Sequence, residues 1–217
     1  MALTQPKKLE LITKHGRKFA AKPNGSTPVL EGVHYAADGS VVVTDRHKML
    51  RIGGAHSFTE PFTSHAVTGS PVDGTYPDTS KIIPTEFKAE ITLIESGIKR
   101  TDLKDAIARV KLAVDVAKLA GDKSYVAKLS YVGASVTLSV KSDAPGVSFS
   151  AGISADISGA DETVSFNAEY LLAALNVFKD AGSARITIGL IGPMTPILLR
   201  DEENGIDVIV LPYRRSA

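Results

Sequence analysis

Short helices separated by groups of short strands predict an α+β fold, with mostly antiparallel strands and the helices packed on one face. Two segments carry apolar residues at helical spacing, and runs rich in β-branched residues, bounded by turn residues, fill the intervals. A helix followed by several strands recurs three times, at a spacing of roughly 60–80 residues, which reads as an internal repeat.

The first helix is expected over 8–20, anchored by Leu11 and Ile12, with Gly16 costing about 1 kcal/mol relative to Ala. Val29–Tyr35, Ser40–Thr44 and Met49–Ile52 read as strands, with Asp38-Gly39 as a hairpin turn. Residues 53–75 are rich in Gly, Ser, Thr, Pro and His without periodicity and read as a long loop. Pro71, Pro77 and Pro84 mark an irregular connector over 76–88, so the expected units are 1–88 and 89–217. The second unit opens with Ile91–Glu95 and a helix capped by Thr101, in which Leu103, Ile107, Val110 and Val114 share one face. Strands at Val126–Tyr131, Ser135–Val140, Val147–Ser150 and Thr163–Phe166 follow. A helix capped by Asn167 carries Leu171, Leu175 and Phe178 and stops at Gly182. Ala184–Gly189, Pro196–Leu199 and Asp207–Leu211 complete the third set of strands.

The 217 residues are 43% apolar and 23% charged, enough to bury a sizeable core. With 25 Lys plus Arg against 24 Asp plus Glu, overall charge points to no particular partner. The absence of cysteine excludes a disulfide scaffold, a thiolate metal site and a Cys nucleophile. No apolar run spans a membrane and the N-terminus lacks an apolar signal region, so a soluble cytoplasmic protein without membrane contact is expected. Charge is unevenly placed. Residues 1–22 set six cations against Glu10 alone, and residues 99–128 set eight cations against four acids. Residues 156–207 set nine acids against three cations. Such a directional field can steer a polyanion to one face, although solvated surfaces fluctuate similarly. Lys104, Lys111 and Lys118 recur every seven residues and form a basic stripe on one helix flank.

Little in the chain resembles a reaction centre. The five histidines, His15, His34, His47, His56 and His65, lack H-x-H or H-x-x-x-H spacing, so no metal site is expected. No phosphate-cradling Gly motif and no G-x-S-x-G elbow occur. Glu202 and Glu203 sit in a solvated loop, so a glycosidase pair is not indicated. No cofactor and no enzymatic activity are expected. Asp45 and His47 would be the only starting point for an enzyme, and no substrate suggests itself. Two other segments stand out. Thr44-Asp45-Arg46-His47-Lys48-Met49 sits at a strand end, and the C-terminal Val210-Leu211-Pro212-Tyr213-Arg214 sets apolar and aromatic groups beside cations, as interface anchors do.

These segments carry a resemblance. Val43-Thr44-Asp45-Arg46-His47-Lys48-Met49 resembles the A-T-D-G-H-R-L segment of the bacterial sliding clamp family, the beta subunit of DNA polymerase III. Gly74-Thr75-Tyr76-Pro77-Asp78 with Ile82-Ile83-Pro84 resembles its G-x-F-P-D-Y-x-x-V-[IL]-P connector, and Phe166–Leu172 its F-N-x-x-Y-L helix start. Pro196–Arg200 and Val210–Arg214 resemble its P-[VI]-x-[IL] strand and its V-M-P-[MV]-[RK] ending. Five matches in order cover roughly 28–50 and 74–215. The family has three domains of two repeats each, whereas this chain has about three repeats in all. Arg46 stands where the family has Gly, Met49 where it has Leu, and Tyr213 where it has Met or Val. Such a reduced form looks like a phage or mobile-element copy.

The resemblance implies a clamp-like processivity-factor fold, with 1–88 a shortened domain and 89–217 a complete one. It implies a groove for partner peptides, with Thr44, His47, Lys48 and Met49 on one wall. Val210, Leu211, Pro212, Tyr213 and Arg214 stand opposite, and Pro77, Lys81, Ile82, Tyr170 and Ile197 also match groove positions. It also implies nonspecific contact with double-stranded DNA through Lys14, Arg17, Lys18, Lys104, Lys111 and Lys118. The implied partners are a DNA polymerase, other clamp-binding proteins and a clamp loader, with self-assembly into a ring of about four copies. The alternative is a module that keeps the groove without encircling DNA and competes for the partners of a host clamp.

Overall fold

The computed structural model describes residues 2–23, 27–141 and 146–213. Helix α1 (Gln5–Phe19) begins with Pro6 in its first turn, where a missing N–H costs nothing. It buries Leu11, Ile12, His15, Gly16 and Phe19. Gly16 faces the sheet, where an added Cβ would lie 3.5 Å from Val33, so the glycine marks a close helix–sheet approach. Pro28–Glu31 forms a 3-10 turn where a strand was expected, and β1 is confined to Gly32–Tyr35. The turn buries Leu30, and a proline without an amide donor starts a helical turn more readily than a ladder.

Strands β2 (Val41–Thr44) and β3 (Lys48–Ile52) follow as expected, with Gly39 left-handed in the hairpin. The expected loop over 53–75 contains a strand, β4 (Phe62–His65), which pairs antiparallel with β1. Its residues lack apolar alternation; a long-range partner makes it a strand.

Strand β5 (Ala89–Ile94) leads into α2 (Asp102–Leu119), which buries Leu103, Ala106, Val110, Ala113, Val114 and Ala117 and leaves Ile107 half-buried. Thr101 occupies the cap position without a side-chain bond. Asp102 is buried there instead, accepting from the Ile94 amide at 3.0 Å and from Arg100 at 2.5 Å. Then come β6 (Val126–Val132), β7 (Ser135–Lys141), β8 (Ser148–Ile153), β9 (Asp156–Gly159) and β10 (Glu162–Asn167). The sequence gives no sign of β9. Helix α3 (Ala168–Ala181) is capped as expected, since Asn167 Oδ1 accepts from the amides of Glu169 and Tyr170 and left-handed Gly182 ends it. Strands β11 (Arg185–Leu190), β12 (Ile197–Asp201) and β13 (Ile206–Val210) finish the chain. The three helix starts make the first repeat interval longer than the expected spacing.

Two sheets result. One has nine strands in the order β4-β1-β2-β3-β13-β12-β11-β5-β9, the other four in the order β10-β6-β7-β8. The antiparallel β3–β13 ladder, with Ile209 opposite Met49, joins the N-terminal and C-terminal parts into one sheet. Helix α1 lies on β2 and β3 and touches α3, which in turn packs on α2. The helices thus form one layer in the order α1-α3-α2, over a core running from Leu11 to Val210. A smaller cluster on the other face of the large sheet comprises Leu30, Val42, Met49, Tyr76, Leu198 and Ile209. No helix among the described residues is long and apolar enough to cross a membrane.

Candidate functional site

The outer cluster is the floor of a cleft. Strand residues alternate faces, so Met49 and Ile209 share the outer side of the sheet while Leu50, Val208 and Val210 enter the main core. The connector lies across this outer face. Tyr76 is buried, its ring 4.5 Å from that of His34, and its hydroxyl accepts from the Thr44 amide at 3.1 Å. Burial pushes the Tyr76 phenol above its usual range, so it stays a neutral pin at physiological pH. From this anchor the chain climbs through Pro77, Asp78, Thr79 and Ile82, which form one wall. The enclosed volume is about 390 Å³, and Leu30, Leu211, Pro196 and Thr27 complete its lining.

The opposite wall is the turn Thr44–Lys48. Asp45 Oδ1 accepts from the amides of His47 and Lys48, both at 2.9 Å, and the Thr44 hydroxyl donates to the Lys48 carbonyl at 2.8 Å. Arg46 is held at φ 75°, a conformation that favours glycine and costs a bulky residue roughly 1–3 kcal/mol. Its guanidinium donates to Thr27 at 2.8 Å across the mouth of the cleft. Lys48 contributes its stem, while its ammonium is held by Asp45 and lies 4.4 Å from the centre of the Tyr170 ring. The exposed cation at this rim is therefore Arg46, not Lys48.

Of the groove residues expected from the sequence, Thr44, Lys48, Met49, Pro77, Ile82 and Leu211 line the cleft. Tyr170 and His47 meet beside it, their rings 6.3 Å apart. Ile197 and Val210 are corrections: they are paired across β12 and β13 and buried in the main core, on the other face of the sheet. Lys81 is exposed and faces Asp78 at 3.9 Å. Pro212 bridges Phe166, and the Tyr213 hydroxyl donates to Ser124 at 3.1 Å, so both lead away from the cleft. Arg214 lies outside the described residues. Leu30, Pro196 and Ile209 were missed. Ile209 was accessible through strand alternation with Val210, once Met49 was known to face outward. Nothing local signalled Leu30 or Pro196.

A second, more polar cleft of about 530 Å³ lies on the far side of the connector. Its cations are engaged: Arg51 contacts Asp38 at 3.1 Å, and Arg200 contacts Asp207 at 2.7 Å. Among the described residues no group of acids and histidines could hold a metal ion.

The six expected DNA-contacting cations are all exposed on α1 and α2. Three are paired: Lys14 with Asp180 at 2.9 Å, Lys104 with Glu95 at 3.3 Å and Lys118 with Glu169 at 3.5 Å. Arg17, Lys18 and Lys111 carry no ion pair among the described residues. The acidic third segment thus places Glu169 and Asp180 on α3, between two basic helices.

Residues 80–214 match the family model described as DNA polymerase III beta subunit, C-terminal domain. The chain is 27% identical over 243 residues to the Beta sliding clamp of Lactococcus lactis, covering 91% of this chain and 60% of that protein. It is 31% identical over 145 residues to the Beta sliding clamp of Bacillus subtilis, covering 66% of this chain and 35% of the relative. The beta subunit from DNA polymerase of Streptococcus pyogenes superposes with a TM-score of 0.80 at 21% identity, over 96% of this chain and 64% of that one. The chain therefore spans three fifths or less of the length of these two curated relatives. The match over more than half of its residues shows that this chain belongs to the DNA polymerase III beta subunit family, the bacterial sliding clamps.

Proposed function

We propose that this protein is a non-enzymatic replication accessory of the cytoplasm that binds double-stranded DNA without sequence preference and holds partner peptides in the cleft across β3 and β13. The observation that carries this reading is the cleft itself, an apolar floor of Met49, Leu30, Ile209 and Leu211 beside the exposed Arg46. A short linear peptide gains affinity by burying aliphatic or aromatic anchors on such a floor, while a cation at the rim meets its polar or acidic groups. The partners would be a DNA polymerase, other proteins with a clamp-binding motif, and a clamp loader.

Fluorescence anisotropy with a labelled clamp-binding peptide tests it. Binding is expected with a dissociation constant on the order of micromolar, about −8 kcal/mol. Met49→Ala and Ile209→Ala should each weaken it about tenfold, while Tyr213→Ala, away from the cleft, should leave it unchanged. Absence of binding at millimolar peptide would overturn the reading.

A second reading has a specific observation behind it. With Lys14, Lys104 and Lys118 already paired to acids, the helix layer is less positive than its cation count suggests. That favours a module that keeps the groove, competes for clamp partners and does not encircle DNA. DNA affinity that falls steeply with salt and drops on Lys111→Glu supports the clamp reading; affinity indifferent to both supports the module.

A further inference from the structure

Among the described residues only Arg46 and Tyr125 hold a side chain on a left-handed backbone, at φ 75° and φ 48°. Packing accounts for Tyr125, whose ring lies against the main core with the Lys118 ammonium 5.5 Å from its centre. Arg46 is exposed, so burial does not offset its strain. The turn around it is closed by Thr44 and Asp45, and glycine at this position would serve the turn without strain. A bulky residue kept where the fold needs none points to work done by its side chain.

That side chain closes the mouth of the cleft. The Arg46 guanidinium donates to the Thr27 hydroxyl at 2.8 Å, and both residues line the cavity. A hydroxyl is a neutral acceptor and engages one of the five N–H donors of the group. No acid pairs with Arg46 among the described residues. The lining holds two other charged residues, Lys48 and Asp78. Lys48 is neutralised by Asp45, and Asp78, on the opposite wall, accepts from the Ser80 amide at 3.0 Å and the Ser80 hydroxyl at 2.6 Å. Arg46 is therefore the one charge of the lining that meets only a neutral partner.

We infer that the bond from Arg46 to Thr27 is a specificity latch, which selects peptides carrying an acidic side chain beside an apolar anchor. The inference rests on the cleft being a peptide site. An anchor reaching the Met49 and Ile209 floor passes between Arg46 and Thr27 and breaks their bond. A carboxylate replaces the lost neutral acceptor by a charge-assisted, potentially bidentate pair of roughly twice the strength. An amide side chain exchanges one neutral acceptor for another and gains little, and a basic side chain is repelled. Selection thus works by rejecting peptides that cannot repay the opened latch. Asp78 on the opposite wall reinforces it, because the cleft is positive on the Arg46 side and negative on the connector side. That polarity turns the acidic side chain towards Arg46 and fixes the direction in which the peptide lies.

Two labelled peptides with blocked termini test it by fluorescence anisotropy, identical except for Asp or Asn between two apolar anchors. The protein should bind the Asp peptide about tenfold more tightly, with a gap that narrows as salt is raised. Arg46→Gly should bind the two alike, and the Asn peptide no more weakly than the unsubstituted protein does. Thr27→Val should keep the preference and bind the Asp peptide more tightly, since no latch has to open. The denaturant midpoint of Arg46→Gly should lie above those of the unsubstituted protein and of Arg46→Ala, because only glycine relieves the left-handed strain. Equal binding of both peptides by the unsubstituted protein would overturn the inference. So would a preference that survives Arg46→Gly, or a midpoint that Arg46→Gly lowers. Binding of neither peptide to any of these proteins would overturn the cleft as a peptide site, and the latch with it.

Discussion

The two parts of this molecule apply one design to different completeness. In the C-terminal part, α2 and α3 cover each other and two sheets, and Phe166 and Phe178 are fully buried. In the N-terminal part a lone α1 covers β2 and β3, and the aromatic rings beyond it stay half in water. The comparison teaches where a helix-on-sheet unit derives its stability. Burial from both sides removes nearly all of a side chain's apolar surface from water, and burial from one side leaves the margin exposed. The cleft belongs to neither part alone. It forms where β3 of one meets β13 of the other, roofed by the connector that Tyr76 pins down.

Core truncation breaks the comparison most sharply. Phe178→Ala should lower unfolding free energy by about 3–5 kcal/mol, and Phe62→Ala by well under half of that, both read from denaturant midpoints. Equal losses would mean that the two parts are equally sealed. The helix caps give a smaller contrast. Asn167→Ala should cost about 1 kcal/mol because it removes two accepted amide bonds, whereas Thr101→Ala should be near neutral because Thr101 makes no such bond.

The contact between the parts adds a pH dependence. His15 is 1% exposed against Asp180, and burial holds its imidazole below the ordinary range, with Lys18 and Lys14 acting the same way and Asp180 opposing. Burial likewise lowers His34. A group harder to protonate when folded makes the unfolded chain bind more protons, so stability falls as pH drops below the unfolded value near 6.5 and levels off below the folded one. The slope should not exceed about 1.4 kcal/mol per pH unit for each histidine. Denaturant midpoints between pH 7.5 and 5 should decline, and His15→Gln should flatten the decline.

Much of the site was legible because its motifs are local. The Asp45 turn closes bonds within three residues, and the Tyr76-Pro77-Asp78 connector declares itself by composition. What was misplaced came from the two-sidedness of strands. Val210 and Ile197 are as apolar as Ile209, and only pairing with β3 decides which side of β13 meets the cleft. Lys48 reads as a free cation until the turn sets Asp45, three residues away, on its ammonium and the fold brings the Tyr170 ring, far away in sequence, beside it.

The amino-acid sequence by itself determined α2 and α3, the Asn167 cap, the Gly182 stop and the Asp38-Gly39 hairpin. Each is settled by bonds and contacts spanning a few residues. Only the tertiary structure decided that Phe62–His65 is a strand, and that Met49, Ile209 and Leu30 form one floor. Those outcomes depend on partners many residues away, and neither periodicity nor composition encodes which of two equally apolar faces a neighbour will cover.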